Sequence, residues 1–310
     1  MPTALVTGAA GFVGSNLVEA LADRGYAVRG VDNFETDRRS NLEPLDSLPE
    51  FSFHEADVRG GEAMADLMDG VDYLFHQAAV ASVPRSVEDP VTTTDANCTG
   101  TATVLDAARR AGVGAAVVAS SSSVYGSSEE LPKVESMPAT PESPYALSKY
   151  FTEELALEFS DLYDIDTVAL RYFNVFGPRQ DPEGQYAAVI PKFVSLMLDG
   201  DRPVIFGDGE QSRDFTYIDN AVQANVLAAE GDVTGEAFNV GTGGRVTVNE
   251  LVETLNDHLA TDLDPIHDDP RPGDVRHSHA DVSKARDLLG YDPEVGFEEG
   301  LERTIEYYRQ

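Results

Sequence analysis

Tyr145 and Lys149 are the two side chains whose types and spacing point most directly to chemistry. They lie four residues apart in SPYALSKY (143–150), a predicted helix opened by Pro144, so both fall on one helix face. A tyrosine with its ordinary pKa of about 10 is a poor base at neutral pH. An ammonium about 4 Å away contributes roughly 4 kcal/mol at an effective dielectric of about 20, which would lower that pKa by about three units. The spacing predicts a tyrosine that exchanges protons; the alternative is an accidental match on a surface helix.

Four consecutive serines, Ser120–Ser123, directly follow the apolar run AAVVA. A serine run often marks a linker or a loop. Here it lies at the predicted carboxyl end of a strand, where open α/β sheets bind their ligands. We therefore predict that these hydroxyls form part of a site.

A glycine turn near the amino terminus has the spacing of a dinucleotide-binding loop. VTGAAGFVGSN places Gly8, Gly11 and Gly14 between the first predicted strand and its helix. Gly8 permits a tight turn, Gly11 lets the backbone approach a pyrophosphate, and Gly14 lets the helix pack closely on the strand. The helix N-terminus adds unpaired N–H groups and the positive end of its dipole.

Asp32 indicates which dinucleotide fits this loop. It lies 24 residues after Gly8, at the end of the second predicted strand, where its carboxylate can accept the ribose hydroxyls of NAD and would repel the extra phosphate of NADP. Arg38 and Arg39 keep NADP open as an alternative. Asp57 and Val58, which end the third strand, are expected at the adenine edge.

The elements that must position these residues alternate along the chain. Strands are predicted at 4–8, 27–32, 51–58, 72–79, 115–121 and 166–173, with helices around 12–25, 62–69, 92–111 and 144–163. This alternation over about 175 residues predicts an α/β fold with a doubly wound parallel sheet, a Rossmann domain. We expect residues 1–175, with 215–245 returning to them, to bind NAD, and 176–214 with 246–310 to form a smaller interleaved substrate lobe.

The charge of the chain excludes several partners. Its 310 residues contain 55 Asp plus Glu against 22 Lys plus Arg, a formal net charge of −33. Such a field repels nucleic acid and anionic membrane surfaces. Only four lysines occur, which favours a surface adapted to high salt over that of an ordinary acidic protein. We expect no nucleic-acid partner.

Other residues indicate a cytoplasmic enzyme. The lone Cys98 excludes an internal disulfide, fits a reducing compartment and is expected to be a small buried residue. No apolar run is long enough to span a membrane, and a strand at Thr3 leaves no room for a signal peptide. His277 and His279 have the spacing of two ligands on a strand, but no third cluster accompanies them, so no metal site is expected.

Several longer motifs carry a family resemblance. The glycine turn and the Ser–Tyr-x-x-x-Lys set resemble those of the extended short-chain dehydrogenase/reductases. Further segments of this chain resemble nucleotide-sugar 4-epimerases of the UDP-glucose 4-epimerase type, and most closely the branch that acts on UDP-N-acetylhexosamines. These segments are HQAAVASVPRSVEDP, ASSSSVYG, SPYALSKY, LRYFNVFGPRQDP, YAAVIPKF, GEQSRDFTYIDN and RPGDVRHSHAD.

The resemblance implies a role for individual residues. Tyr145 would be the acid/base, Lys149 would hold the charge of Tyr145 and bind the nicotinamide ribose, and Ser121 would share the 4-hydroxyl of the sugar. The NAD contacts implied are Gly8, Gly11, Phe12, Val13, Gly14, Asp32, Asn33, Asp57, Val58, Gln77, Ala78, Ala79, Asn97, Tyr145, Lys149 and Tyr172. The UDP-sugar contacts implied are Ser82, Ser122, Ser123, Asn174, Ala188, Val189, Lys192, Phe206, Arg213, Arg271 and Ser278.

The same resemblance implies a reaction and leaves alternatives open. Carbon 4 of a UDP-hexose would be oxidised by NAD and reduced again on its other face. Ser278, the seventh residue after Arg271, stands where enzymes restricted to plain hexoses have tyrosine, so UDP-GlcNAc and UDP-GalNAc are expected to fit, and UDP-Glc and UDP-Gal less well. Dehydratases have an Asp-Glu pair at Ser122 and Ser123, which this chain lacks. UDP-glucuronate 4-epimerase remains an alternative, although Asn174 suits it less well than threonine would.

Two further expectations complete this interpretation. A catalytically dead NAD-binding regulator is the alternative from another class, and it is disfavoured because the serine, tyrosine and lysine are all present. A homodimer is expected, with the helices at 92–111 and 144–163 pairing with their copies.

Overall fold

A computed structural model of the chain describes residues 1–36, 38–183, 188–270 and 275–309. The strands are β1 (Thr3–Thr7), β2 (Ala27–Asp32), β3 (Phe51–Glu55), β4 (Tyr73–His76), β5 (Ala115–Ser121), β6 (Asp166–Tyr172), β7 (Val175–Phe176), β8 (Val204–Phe206), β9 (Ser212–Arg213), β10 (Thr216–Tyr217), β11 (Glu236–Val240), β12 (Val246–Thr247) and β13 (Ile266–Asp268). The α-helices are α1 (Phe12–Asp23), α2 (Gly61–Met68), α3 (Val83–Glu88), α4 (Pro90–Thr94), α5 (Gly100–Ala111), α6 (Pro144–Leu162), α7 (Val189–Leu198), α8 (Ile218–Glu230), α9 (Val248–Leu259), α10 (Ser283–Leu289) and α11 (Phe297–Tyr308).

Seven parallel strands form the central sheet in the order β11-β6-β5-β4-β1-β2-β3. Thr7 at the end of β1 pairs with Val31 of β2 on one side and His76 of β4 on the other. The chain therefore reverses its winding direction at β1, and the crevice at the carboxyl ends of β1 and β4 is where such sheets bind ligands. The predicted doubly wound parallel sheet is confirmed.

The sheet is covered on both faces, which explains why its strands are almost continuously apolar. Successive residues of β5 point to opposite faces, so Val117 packs with the core beneath α1 and α8, and Val118 with the core beneath α2, α5 and α6. Leu17 of α1 and Leu105 of α5 are fully buried in these two cores. The two packed faces hold the strand ends, and hence the site, in a fixed arrangement.

After β6 the chain builds a smaller set of elements around three two-stranded pairings. β7 pairs with β10, β8 with β13, and β9 with β12. β11 returns to the central sheet and lies beside β6 in parallel register, from Glu236 opposite Val168 to Val240 opposite Tyr172. Among the described residues, no helix combines the length and the apolar character needed to cross a bilayer.

Candidate active site

The glycine turn has a backbone that only glycine fits. Gly8 adopts φ +71°, and a Cβ built on it would lie 2.8 Å from the backbone nitrogen of Ala78. A Cβ on Gly14 would lie 2.0 Å from the carbonyl oxygen of Gly8. These contacts bring the start of α1 close against β1, as the sequence predicted, so that the helix N-terminus lies beside the strand ends.

Asp32 is buried at the end of β2 and faces the same crevice. Its Oδ2 accepts a hydrogen bond from the Ala10 nitrogen at 3.0 Å, and its Oδ1 accepts one from the Phe34 nitrogen at 2.8 Å. Burial raises the pKa of Asp32, and these backbone donors oppose the shift. A carboxylate fixed in this way is suited to accept ribose hydroxyls.

A cavity beside Asp32 gathers most of the residues expected at the adenosine half of the cofactor. Its lining includes Gly8, Asp32, Asn33, Asp57, Val58, Ala78 and Ala79. Arg59 hydrogen-bonds the Asp57 carboxylate and lowers its pKa to about 2, so Asp57 is an anion at the cavity wall. The residues present fit NAD: the glycine turn can approach a pyrophosphate, Asp32 can accept ribose hydroxyls, and Asp57 makes the opposite wall of the cavity acidic.

The same surroundings disfavour NADP. Arg38 pairs with Asp181 at 2.6 Å, and Arg39 pairs with Glu55 at 2.7 Å while stacking on the ring of Phe34. Both ion pairs are exposed and therefore weak, so the preference for NAD rests on the buried carboxylate of Asp32, which would repel an extra phosphate.

Tyr145 and Lys149 lie on the first turns of α6, and the start of this helix is fixed by its own sequence. Pro144 occupies the first turn, and the Ser143 hydroxyl accepts a hydrogen bond from the Ala146 nitrogen at 3.1 Å. Lys149 is 5% exposed and donates from Nζ to the Ala119 carbonyl of β5 at 2.8 Å. The helix is thereby attached to the strand that ends in the serine run.

The predicted lowering of the Tyr145 pKa by Lys149 is wrong, because burial and Ser121 are the influences that act on this pKa in the structure. Burial raises the pKa of Tyr145, and a hydrogen bond shared with the Ser121 hydroxyl only partly opposes the shift. Burial also lowers the pKa of Lys149, to about 8. The ammonium is held by the Ala119 carbonyl, and desolvation disfavours the charged form of each group.

The serine run divides between two environments, the core and the end of β5, and the linker interpretation is wrong. Ser120 ends in the core, where its hydroxyl donates to Glu153 Oε2 at 2.7 Å. Ser121 ends β5, and its Oγ accepts hydrogen bonds from the Ser123 nitrogen at 3.1 Å and the Ser123 hydroxyl at 2.9 Å. A short 3-10 turn then begins at Ser122, so the run forms one corner beside Tyr145.

Two larger cavities meet at Asn174 and Arg213, which line both. Each is named here after the part of a UDP-sugar that the sequence led us to expect there. The cavity on the side of the serine corner, named here the hexose cavity, is lined by Val83, Pro84, Val87, Ser122, Ser123, Gly126, Lys133, Glu142, Ser143, Ala146, Phe173, Asn174, Arg213, Val275, His277 and Ser278. The other, named here the uridine cavity, is lined by Asn174, Val175, Phe176, Ala188, Val189, Ile190, Lys192, Phe193, Val204, Ile205, Phe206, Gln211, Arg213, Phe215 and Val248. Nine of the expected UDP-sugar residues therefore lie around two connected cavities.

Other expected site residues are placed differently. Asn97 lies in a π-helical turn between α4 and α5, and its amide is 1% exposed, bonded to the Val80 nitrogen and the Ser148 hydroxyl. The Ser82 hydroxyl caps α3. Gln77 and Tyr172 hydrogen-bond each other at 3.1 Å. Phe12 and Val13 open α1.

The remaining residues that the sequence singled out are Arg271, Cys98 and the two histidines of VRHSHAD. Arg271 lies outside the described residues. Cys98 is half-buried rather than fully buried, and its burial raises the thiol pKa. His277 bonds the Ser212 hydroxyl at 2.9 Å and lines the hexose cavity, whereas His279 bonds the Gly243 carbonyl.

Asp214 organises the site but was not found from the sequence. It is fully buried, and its carboxylate accepts hydrogen bonds from the backbone nitrogens of Thr242, Gly243 and Ala280. Its carbonyl accepts from Asn174 Nδ2 at 3.1 Å, which supports a residue in the left-handed region at φ +36°. An acid directly before the aromatic residues of SRDFTY was the available signal.

Comparison with known proteins identifies the family. Residues 4–241 match the model of the NAD-dependent epimerase/dehydratase family. The UDP-glucose 4-epimerase of Mycolicibacterium smegmatis is 39% identical over 307 residues, 98% of each chain. The structure of the Methanobrevibacter ruminantium UDP-N-acetylglucosamine 4-epimerase superposes with a TM-score of 0.95 at 40% identity, covering 99% of this chain and 98% of that one. The Bacillus cereus UDP-glucuronic acid 4-epimerase, solved with NAD, gives 0.92 at 32% identity and 99% coverage of both chains. With its glycine cradle, its Ser–Tyr–Lys corner and these likenesses over nearly its whole length, this chain belongs to the NAD-dependent epimerase/dehydratase family.

Proposed function

We propose that the protein is an isomerase, an NAD-dependent UDP-sugar 4-epimerase. The observation that carries the proposal is the pair of connected cavities that share Asn174 and Arg213. One cavity ends at the serine corner next to Tyr145, and the other is mostly apolar, as a uracil would require. A UDP-hexose fits this pair with its pyrophosphate at the shared wall, where a guanidinium suits phosphate oxygens.

The chain's own residues account for the proton chemistry and the orientation. NAD supplies reversible hydride acceptance at carbon 4. Tyr145 takes the 4-hydroxyl proton and returns it, and Ser121, already hydrogen-bonded to that phenol, orients the hydroxyl. Lys149, which lies one turn further along α6 and donates to the Ala119 carbonyl, would hold the nicotinamide ribose. Because Asn174 and Arg213 hold the pyrophosphate away from carbon 4, the sugar can turn within the hexose cavity and present its other face.

The division of labour between the two parts of the chain is also proposed. Residues 1–175 with 215–245 would hold NAD, and 176–214 with 246–310 would hold the UDP-sugar. The expected substrates are UDP-GlcNAc and UDP-GalNAc, with UDP-Glc and UDP-Gal accepted more weakly. UDP-glucuronate is the second candidate, because 4-epimerases of all three sugar types are similar to this chain. NMR of the products formed from a panel of UDP-sugars tests the proposal, and bound NAD without turnover of any of them would favour a regulator.

We predict that Ser278→Tyr removes activity on the N-acetylated sugars and retains it on the plain ones. Ser278 lines the hexose cavity, and its backbone nitrogen donates to the Ser212 carbonyl at 2.9 Å, so the position is fixed and a larger side chain must enter the cavity. A plain hexose lacks the N-acetyl group and leaves a gap in the cavity, which lowers its transition-state binding by only about 1–3 kcal/mol. The wild type should therefore still turn over plain hexoses. Steady-state kinetics on all four sugars test this, with Ser278→Ala as the matched control. Unchanged preference in Ser278→Tyr would refute the role of this wall.

We predict that the protein loses stability and activity below about 1 M KCl. Its 55 carboxylates repel one another in dilute buffer, because the Debye length is about 10 Å at 0.1 M salt but about 3 Å at 1 M. Thermal melts followed by circular dichroism in low and multimolar KCl measure the effect. A midpoint that does not move would contradict adaptation to high salt.

We predict a homodimer built on α6. Leu147 and Phe151 lie four residues apart on this helix, and Val87 and Val91 lie on the adjacent α3–α4 segment; all four are between 41% and 77% exposed. An apolar surface of this kind is typical of an interface, and a two-fold axis would bury it against its copy. Light scattering at micromolar concentrations should give twice the monomer mass, and Phe151→Asp should shift it to the monomer. A wild-type monomer throughout that range would contradict the prediction.

A further inference from the structure

The four lysines of this chain are not distributed like surface lysines. The other basic residues are arginines, so lysine is retained at very few positions. Lys149 is bonded to the strand beside the serine corner, Lys192 lines the uridine cavity, and Lys284 pairs with Glu236 at 2.6 Å. Lys133 is the remaining one, and the proposed function gives it no role.

Lys133 is a buried cation at the wall of the hexose cavity. It is 2% exposed, lines that cavity together with Ser122 and Ser123, and does not line the uridine cavity. Its Nζ donates one hydrogen bond, to the Ser128 carbonyl, and forms no ion pair with any carboxylate among the described residues. An ammonium has three N–H donors, so two are left for a ligand.

The backbone around Lys133 holds it rigidly next to the wall that carries Ser278. The Lys133 nitrogen donates to the His279 carbonyl at 2.7 Å, and the Asp281 nitrogen donates to the Lys133 carbonyl at 2.8 Å. Asn239 also donates to the Lys133 carbonyl, at 2.9 Å. A residue fixed on both sides in this way is suited to set specificity, because its side chain has little freedom to move aside.

The charge of Lys133 has a chemical consequence. Burial lowers its pKa, and Glu130 is the one acidic side chain that opposes the shift. A buried ammonium without a paired carboxylate is unfavourable, and an anionic group on a ligand would compensate it. The pyrophosphate is assigned to the wall shared by Asn174 and Arg213, and Glu142, a carboxylate that lines the same cavity, accepts a hydrogen bond from Ser127. The hexose is therefore the part of the substrate that can bring an anion to Lys133.

We propose that Lys133 is a specificity-determining residue that binds a carboxylate carried by the hexose, and that the preferred substrate is a UDP-N-acetylhexosaminuronate. This inference rests on the proposed function. The space beside Ser278 accommodates the N-acetyl group, and Lys133 pairs with the carboxylate. Neither group takes part in the bond changes at carbon 4.

The test is a comparison of four substrates that differ only in these two groups: UDP-GlcNAc, its 6-carboxylate, UDP-Glc and UDP-glucuronate. In the wild type at one fixed KCl concentration, kcat/KM should be higher for each carboxylated sugar than for its neutral partner by about tenfold or more. Lys133→Met should lower that ratio by about the same factor, and Lys284→Met, which removes a lysine remote from the cavity, should leave it unchanged.

Binding gives an independent measure. The carboxylated sugar should raise the melting midpoint of the wild type more than UDP-GlcNAc does, and this difference should vanish in Lys133→Met. If that variant fails to fold, Lys133→Gln and the wild-type ratio still decide the matter. Turnover of UDP-GlcNAc with no preference for the carboxylated sugar would overturn the inference and leave the proposed function intact. Absence of turnover on all four sugars would overturn the proposed function itself.

Discussion

Tyr145→Phe is expected to abolish epimerase turnover while NAD remains bound. The substitution removes only the phenol oxygen, which shares a hydrogen bond with Ser121, and leaves a ring that packs in the same place. Positioned proton transfer contributes about 10²- to 10⁴-fold to a rate, so the variant should keep at most a few per cent of the wild-type activity. The measurements are kcat on the preferred sugar and the NAD released on denaturation.

A matched control distinguishes this role from general disturbance of the helix. Tyr150 lies on the same helix, is half-buried against the core, and faces no cavity of the proposed site. Tyr150→Phe should therefore turn over UDP-sugar at close to the wild-type rate. If Tyr145→Phe retained a comparable rate, the assignment of the proton carrier would be wrong.

Glu153→Gln is expected to destabilise the fold by about 3–5 kcal/mol, because it leaves a buried cation uncompensated. Glu153 is fully buried in α6, where its carboxylate accepts from Arg171 Nε at 2.9 Å and from the Ser120 hydroxyl at 2.7 Å. Arg171 also donates to the Tyr125 hydroxyl at 2.7 Å. This ion pair joins α6 to β6, and the Ser120 hydroxyl joins the same carboxylate to β5.

Urea denaturation in multimolar KCl measures the free energy of unfolding. The double variant Glu153→Leu, Arg171→Met serves as the control, since replacing both partners of a buried pair by apolar residues is often neutral or stabilising. It should regain much of the stability that Glu153→Gln loses. A loss of less than about 1 kcal/mol in Glu153→Gln, as for an exposed pair, would contradict the prediction.

The core of the fold was predictable because its signals are local. The apolar runs gave six strands of the central sheet close to their observed bounds, and Gly8 and Gly14 stand where any Cβ would collide. The helix carrying Tyr145 and Lys149 begins at its Ser-Pro start as expected. The pairing of the short strands after residue 174 was not predicted, since two or three residues carry too little periodicity to fix a partner strand. The short helix α3 was also missed.

The position of the candidate site was predictable where its residues lie in sequence motifs at the carboxyl ends of strands. The sequence placed the serine run at the end of β5 and Asp32 at the end of β2 because parallel strands present their carboxyl ends on one edge. It could not indicate that the Asn97 amide turns inward, since this depends on the π-helical turn that contains it.

The sequence by itself determined the alternation of strands and helices, the glycine cradle, the acidic surface and the order of the Ser, Tyr and Lys side chains. Only the tertiary structure decided how these groups are charged and what they contact. It directed Lys149 to the Ala119 carbonyl, raised the pKa of Tyr145 by burial, and left Lys133 buried at the hexose cavity with no carboxylate partner in the part of the chain that the structure describes. Backbone conformation and apolar periodicity depend on neighbours in the chain, whereas desolvation and ion pairing depend on segments that meet only after folding.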